Sequence, residues 1–169
     1  MARKSNISKH LLSVLLLIVT MAACTSKKAE EPSVGEQMLE MLNEQALSLL
    51  VYNDSTLTTH DNRGVQDLLA LISSQPERLQ GAIVADKVIG KAAAALMATG
   101  GVVEVHTNVI CTPARELLER EGIKVFAAEE VPQILNRAKS GMCPIDSQLE
   151  GIETIEDCVE ILKNIQPVL

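Results

Sequence analysis

The segment between residues 81 and 127 alternates short apolar runs with helical patterns, and this alternation constrains the fold more than any other feature. Apolar runs at Gly81–Ala85, Val102–Thr107 and Ile123–Ala127 indicate strands. Helices are predicted between them, over Asp86–Thr99 and Thr112–Arg120. Strands that are joined through helices make crossover connections, so these three strands are expected to lie parallel in one sheet.

A predicted hairpin before this segment makes the sheet mixed. Leu47–Tyr52 and Ser55–Thr59 are strand-like and flank the turn pair Asn53-Asp54. The whole order predicts an α/β fold, a three-layer α/β/α sandwich around a five-stranded mixed sheet. Further helices are predicted after the capping-box pair Ser33 and Glu36, and over Val65–Ile72, Val131–Ala138 and Ile155–Ile165.

The first 23 residues have the pattern of a secretory signal. Three basic residues precede the apolar run Leu11–Val19, and Met21-Ala22-Ala23 supplies small residues before Cys24. This arrangement resembles a bacterial lipobox, in which cleavage precedes the cysteine and the thiol carries a lipid. An ordinary secretory signal with an incidental Cys24 is the alternative. The sequence thus predicts a signal peptide over 1–23, a flexible tether over 24–34 and a folded domain over 35–169, held at the cell envelope.

Charge and composition exclude several partners. Without residues 1–23 the chain keeps 12 basic and 22 acidic residues, a net charge of −10. Such a surface repels nucleic acid phosphates, and 1% aromatic residues leave little for base stacking. The net charge also opposes anionic head groups, so the lipid and not electrostatics is expected to hold the domain at the membrane.

Five residues are candidates for a binding pocket. Asp86 and Lys87 follow a buried strand, where α/β sheets usually bind ligands, and Lys91 lies one predicted turn after Lys87. Cys111 precedes a predicted helix start, where the helix dipole lowers a thiol pKa. Cys143 follows a basic, glycine-containing loop suited to an anion. The alternatives are a helix cap, solvated lysines, a small buried cysteine and a solvated loop.

The remaining histidines and cysteines give weaker patterns. His60 and His106 stand alone, and neither has metal-ligand spacing with a cysteine. Cys111, Cys143 and Cys158 allow one disulfide in an oxidising compartment, with the pairing left open. The sequence contains no phosphate-binding or dinucleotide-binding glycine motif, and no cofactor is expected.

The stretches VADKVIGKAAA and NR…GMCPID resemble an uncharacterised prokaryotic domain family with a cytidine-deaminase-like fold, over about residues 45–165. The resemblance implies two helix N-termini that converge on one pocket. True deaminases hold zinc there with H-x-E or C-x-E and P-C-x-x-C motifs. Here the presumed first helix start, Val84–Lys87, has no His or Cys. Pro113 matches the second motif, but Ala114 and Leu117 replace its cysteines.

The resemblance therefore implies a deaminase-like fold without zinc and without zinc-dependent deamination. We expect a lipid-anchored domain that binds a small polar ligand in a pocket lined by the five candidate residues. A metal-free enzyme is one alternative, with a cysteine nucleophile and Asp86 or Lys87 as acid or base. A structural protein of the envelope is another. The sequence does not name the ligand, the oligomeric state or the membrane.

Overall fold

A mixed five-stranded sheet with the strand order β2-β1-β3-β4-β5 organises the chain. The computed structural model describes residues 31–45, 47–62 and 64–165; the predicted signal peptide, Cys24 and most of the predicted tether lie outside these residues. The strands are β1 (Leu49–Asn53), β2 (Thr56–His60), β3 (Ile83–Ile89), β4 (Glu104–Cys111) and β5 (Lys124–Val131). The α-helices are α1 (Val34–Glu44), α2 (Gln66–Ser74), α3 (Lys91–Gly100), α4 (Thr112–Arg120), α5 (Pro144–Ser147) and α6 (Ile155–Asn164).

The pairing directions agree with the predicted mixed sheet. β1 pairs antiparallel with both β2 and β3, whereas β3, β4 and β5 are parallel. The hairpin turns at Asp54 and Ser55, which have φ angles of 46° and 62°, as a tight hairpin turn requires. Asn53 ties the hairpin to the segment after α2, because its Nδ2 donates to the carbonyl oxygens of Glu77 and Gln80 at 2.9 and 3.0 Å.

The buried apolar residues form two clusters. The larger one joins α2, α3, α4 and α6 with side chains of the sheet such as Val84 and Val105. Helix α3 is its centre, because every residue from Ala92 to Met97 is buried. The smaller cluster joins Met38 and Leu42 of α1 with sheet residues.

Helix α1 begins at the predicted capping box. The Glu36 N–H donates to Ser33 Oγ at 3.2 Å, and the Ser33 N–H donates to Glu36 Oε2 at 2.7 Å. The first turn then passes closely over the sheet: a Cβ on Gly35 would collide with the ring of His106. His106 is buried between this glycine and Phe126, whose ring stacks on it with centroids 4.6 Å apart. His106 thus has a packing role.

Two predicted helices are wrong in position or type. Residues Val131–Ala138 contain no helix; the chain leaves β5 and makes a narrow hairpin, with a bridge between Leu135 and Met142. The helix predicted from Asp86 begins instead at Lys91, because β3 continues to Ile89. Among the described residues, no helix has the length and apolar character needed to cross a bilayer.

Candidate functional site

Asp86 and Lys87 lie within strand β3 and not at a helix start, which corrects the sequence prediction. Asp86 is the ladder neighbour of Leu49 in β1 and of Thr107 in β4. Its Oδ1 accepts the N–H of Val88 at 3.1 Å. This local bond gives the backbone a partner inside the strand, so the polar pair does not end the strand as the sequence pattern suggested.

The three parallel strands are interrupted together beside Asp86. The paired positions omit Lys87, Asn108 and Ala128, although the register is the same before and after them. In β4, the Thr107 hydroxyl donates to the carbonyl oxygen of Val109 at 3.0 Å, a second local bond at this level. Asp86 and Thr107 thus stabilise the same interruption in adjacent strands.

This interruption changes which side chains face the larger cluster. Val84 and Ile89 in β3 both belong to it, and so do Val105 and Ile110 in β4. Each pair is five residues apart, whereas strict alternation would put them on opposite faces. The strands therefore direct apolar side chains into the larger cluster both before and after the polar position that Asp86 occupies.

Asp86 is half-buried as a residue, and the protein around its carboxyl leaves little water to stabilise the negative charge. Burial, followed by the charge of Asp67, raises its pKa to about 7, against the opposing effect of the N–H bonds from Val88 and Lys87. Asp67 itself is buried in the first turn of α2. The carboxyl of Asp86 consequently changes charge near neutral pH, which is common at functional sites.

Asp67 is held by the end of the hairpin. Asn62 donates to it from its backbone N–H at 3.0 Å and from its side-chain amide at 2.6 Å. His60 Nδ1 lies 3.9 Å from Asp67 Oδ1, and its Nε2 is buried with no hydrogen-bond partner among the described residues. We call Asp86, Asp67, His60 and Asn62 the acid cluster.

Lys87 does not join this cluster. Adjacent strand residues point to opposite faces, and the Lys87 Nζ donates to the carbonyl oxygen of Gln45, just after α1, at 3.2 Å. The expected Asp86–Lys87 pair is therefore divided between the two faces of the sheet. Lys91 lies elsewhere again, as the first residue of α3, so the expected common helix face for Lys87 and Lys91 does not exist.

The beginning of α3 is occupied by a side chain that the sequence prediction missed. The Asp146 Oδ1 accepts the N–H of Ala92 at 3.0 Å, and a Cβ on Gly90 would collide with this carboxylate. Lys91 reaches over the same segment, because its Nζ donates to the carbonyl oxygens of Leu149 and Ile152 at 3.0 and 2.5 Å. Asp146 therefore connects α3 to α5, and Lys91 connects α3 to the chain after α5.

Cys111 is the residue immediately before α4, and its thiol is buried. The backbone N–H groups of Ala114 and Lys91 lower its pKa, but burial, helped by the charge of Asp146, has the larger effect and raises it. The prediction that the Cys111 thiol has a lowered pKa is therefore wrong, because desolvation outweighs the helix dipole. The helix begins at Thr112, as predicted, and Cys111 is its N-cap residue.

Cys143 and Cys158, the other cysteines in the part of the chain that the structure describes, are also free thiols. Cys143 precedes the short helix α5 and is partly exposed, whereas Cys158 is buried in α6. Burial raises the pKa of Cys158, against the lowering effect of the Lys91 charge. Within residues 31–45, 47–62 and 64–165, no group of three or more His, Cys, Asp or Glu side chains is arranged to hold a metal ion.

Residues 37–166 match the family described as "Domain of unknown function (DUF1893)", TM1506. The chain belongs to this family. It is similar to the crystal structure of a DUF1893 family protein (TM1506) from Thermotoga maritima at 2.70 Å resolution, with a TM-score of 0.67 and 23% identity. The alignment covers 96% of this chain and 95% of that one, and shows a shared fold. No curated protein matches the chain.

The polar groups at the centre of this DUF1893 domain differ from those that the sequence singled out. Asp67 lies three residues after the turn at Gly64, and its only sequence sign is an acid among the apolar residues of α2. Asp146 lies in the CPID stretch that carried the family resemblance. Neither residue belongs to a recognisable spacing motif, because Asp86 near Asp67 and Ala92 beside Asp146 are distant in sequence and come close only through the fold.

Proposed function

We propose that this chain is a lipid-anchored protein of the bacterial cell envelope, whose DUF1893 domain binds a small polar ligand at the acid cluster. The anchoring is supported by the basic start, the apolar run and the small residues before Cys24. The binding is supported by one observation above all: Asp86, a half-buried residue, has a carboxyl pKa of about 7 beside a second, buried carboxyl.

Such a carboxyl offers two modes of recognition. When it holds its proton, Asp86 donates a hydrogen bond to a ligand oxygen or nitrogen. When it is ionised, it accepts one and attracts a cation, and Asp67 adds negative charge nearby. A ligand that carries an amine favours the ionised form and would release the proton as it binds. Small amines and neutral polar ligands are therefore the expected classes.

We also propose that the domain has the three-layer, cytidine-deaminase-like arrangement. The order of elements, with α3 and α4 each beginning where a parallel strand ends, supports this. The residues present do not fit the zinc ion of that fold. Ala114 and Leu117 are buried apolar side chains, and the true start of the first helix, Gly90–Ala92, also lacks His, Cys and Glu. Zinc chemistry is therefore not part of the proposal.

The alternative function, a metal-free enzyme with a cysteine nucleophile, has less support than the binding of a small ligand. Cys111 is buried with a raised pKa, which disfavours the thiolate that a nucleophile needs. Lys87 bonds a backbone carbonyl on the opposite face, so it does not serve as an acid or base for Asp86. We accordingly place ligand binding before catalysis.

Two measurements test the proposal. Metabolic labelling with a fatty-acid analogue should mark the wild-type protein and not Cys24→Ser; labelling that survives the substitution contradicts the anchor. For binding, the protein is purified from its native cells and its bound small molecules are identified by mass spectrometry. We expect a small molecule with wild type and with the exposed control Asp61→Asn, and its loss with Asp86→Asn. Equal recovery from all three proteins, or none from wild type, contradicts binding at Asp86.

A further inference from the structure

The segment from Val131 to Ile145 is basic in an otherwise acidic chain. It contains Arg137 and Lys139 and no acidic residue, whereas the whole chain has 22 acidic against 15 basic residues. Both side chains are exposed, and neither forms an ion pair within the part of the chain that the structure describes. A protein with this net charge therefore presents two adjacent cations on one projection.

The projection is a tight hairpin over residues 134–142, which we call the basic hairpin. Its base is the bridge between Leu135 and Met142, and the Asn136 N–H donates to the Gly141 carbonyl at 2.8 Å. The Asn136 Oδ1 accepts the N–H of Ser140 at 3.0 Å, and Lys139 adopts a left-handed φ of 54°. These bonds order the tip before any partner arrives, which reduces the entropy lost on docking.

The acids that flank this segment do not neutralise the hairpin. Glu130, before it, lies 2.7 Å from the Nε of Arg115, and Asp146, after it, is buried at the start of α3. The side chain of Leu135 at the base is 47% exposed, one of the larger exposed apolar groups of the domain. Two cations beside an exposed leucine complement a surface that carries anionic groups on the outside and apolar groups beneath them.

We propose that the basic hairpin docks on the phosphate head groups of an anionic lipid bilayer and orients the anchored domain. This inference rests on the proposed anchor at Cys24. Eight residues lie between Cys24 and Ser33, and a fully extended chain from one to the other spans about 30 Å at most. The lipid thus keeps the whole domain close to the bilayer. Contact between the hairpin and the bilayer then determines which face of the domain lies against the membrane.

The net charge of −10 does not prevent this docking. Charges separated by more than about 8 Å are largely screened at physiological ionic strength, so only groups near the bilayer matter. Each lysine or arginine near an anionic surface favours contact about fivefold, and two together about thirtyfold. That preference is too weak to recruit a free protein, but it is enough to orient one that a tether already holds.

The absence of tryptophan from the chain permits a direct test. Leu135→Trp places a single reporter at the base of the hairpin. Leu57→Trp is the matched control, because Leu57 is an exposed leucine, at 37%, on the opposite edge strand β2. The chain from residue 24 onward, with Cys24→Ser and an N-terminal hexahistidine, is tethered to vesicles that contain nickel-chelating lipid and phosphatidylcholine, with or without phosphatidylglycerol.

With phosphatidylglycerol, the Leu135→Trp emission should shift to shorter wavelength and be quenched by brominated lipid, and the Leu57→Trp emission should not. Arg137→Glu with Lys139→Glu should abolish the shift. The control pair Arg120→Glu and Lys163→Glu changes the net charge equally and should leave it intact. Equal emission from both reporters, or a shift that survives reversal of the hairpin charges, would overturn lipid docking and favour an acidic protein as the partner.

The artificial tether separates this test from that of the anchor. If cells do not lipidate Cys24, fatty-acid labelling fails while the vesicle experiment still reports on the hairpin. If the anchor is correct and the hairpin does not touch lipid, labelling succeeds and the two tryptophans behave alike. The two proposals therefore fail through different measurements.

Discussion

Replacing Asp86 by asparagine should stabilise the domain above neutral pH and have little effect in acid. The folded state raises the pKa of this carboxyl from 3.8 to about 7, chiefly through burial. Asparagine keeps the side-chain oxygen that accepts the Val88 N–H and removes only the titrating charge. The variant therefore isolates the electrostatic effect of Asp86 from its local hydrogen bond.

The direction of the effect follows from proton linkage. Below pH 3.8 the carboxyl is protonated in both the folded and unfolded states. As the pH rises from 3.8 to about 7, the unfolded state loses the proton while the folded state retains it, so the free energy of unfolding of the wild type falls. Above about 7 both states are ionised and the loss is complete.

The folded-state and unfolded-state pKa values of Asp86 set an upper limit on the stability that Asp86→Asn can gain. A pKa of about 7 in the folded state against 3.8 in the unfolded state corresponds to about 4 kcal/mol at most. The side chain is partly exposed, and water screens its charge, so we expect about 2 kcal/mol at pH 8. At pH 4 the difference between variant and wild type should be close to zero.

Urea denaturation at a series of pH values measures this difference. The wild type, Asp86→Asn and the exposed control Asp61→Asn are compared, so that titration of all other groups cancels. The gap between Asp86→Asn and wild type should open between pH 4 and 8, and Asp61→Asn should follow the wild type. A constant gap, or one that closes as the pH rises, would refute the assignment of a raised pKa to Asp86.

Three further variants test the packing described above by urea denaturation. Gly35→Ala should destabilise the domain by about 1–3 kcal/mol, because its Cβ collides with His106, whereas Gly141→Ala, which has room for a methyl group, should cost less; equal losses contradict this contact. Asp146→Ala should cost about 1–3 kcal/mol, because it leaves an N–H of the first turn of α3 unpaired, and an unchanged midpoint contradicts the cap. Lys91→Met should cost about 1–2 kcal/mol through two lost bonds to carbonyl oxygens; a more stable variant would show that desolvation of the ammonium dominates.

The parts of the fold that depend on nearby residues were predictable from the sequence. Ser33 and Glu36 form their capping box within one helical turn. The turn after Asn53 likewise depends only on the residues of the turn itself, Asp54 and Ser55. Pro113 lies in the first turn of α4, where its fixed φ and missing N–H fit. The crossover order then gave the three parallel strands, because helix-linked strands have few alternative arrangements.

The parts that failed depend on contacts between distant residues. The pair Asp86-Lys87 suggested the end of a strand, since two polar residues seldom lie in a central strand. In the structure, a shared interruption across three strands accommodates them, and this interruption involves Thr107 in the neighbouring strand. The predicted helix over Val131–Ala138 failed for a local reason: bonds from the Asn136 side chain and the left-handed Lys139 favour a hairpin, and Pro132 has no N–H to donate.

The separate positions of the candidate residues also indicate which part of the domain is free to bind a ligand. At the start of α3, Lys91 and Asp146 already have backbone partners in the interior, so a ligand there would have to break these bonds and expose buried surface. Asp86 differs, because its hydrogen-bond partners among the residues that the structure describes are N–H groups of its own strand, and its charge is disfavoured in the free protein. A cation that binds beside it relieves this unfavourable charge, so ionisation and binding strengthen each other. The affinity of an amine ligand should consequently rise with pH up to about 7 and then level off.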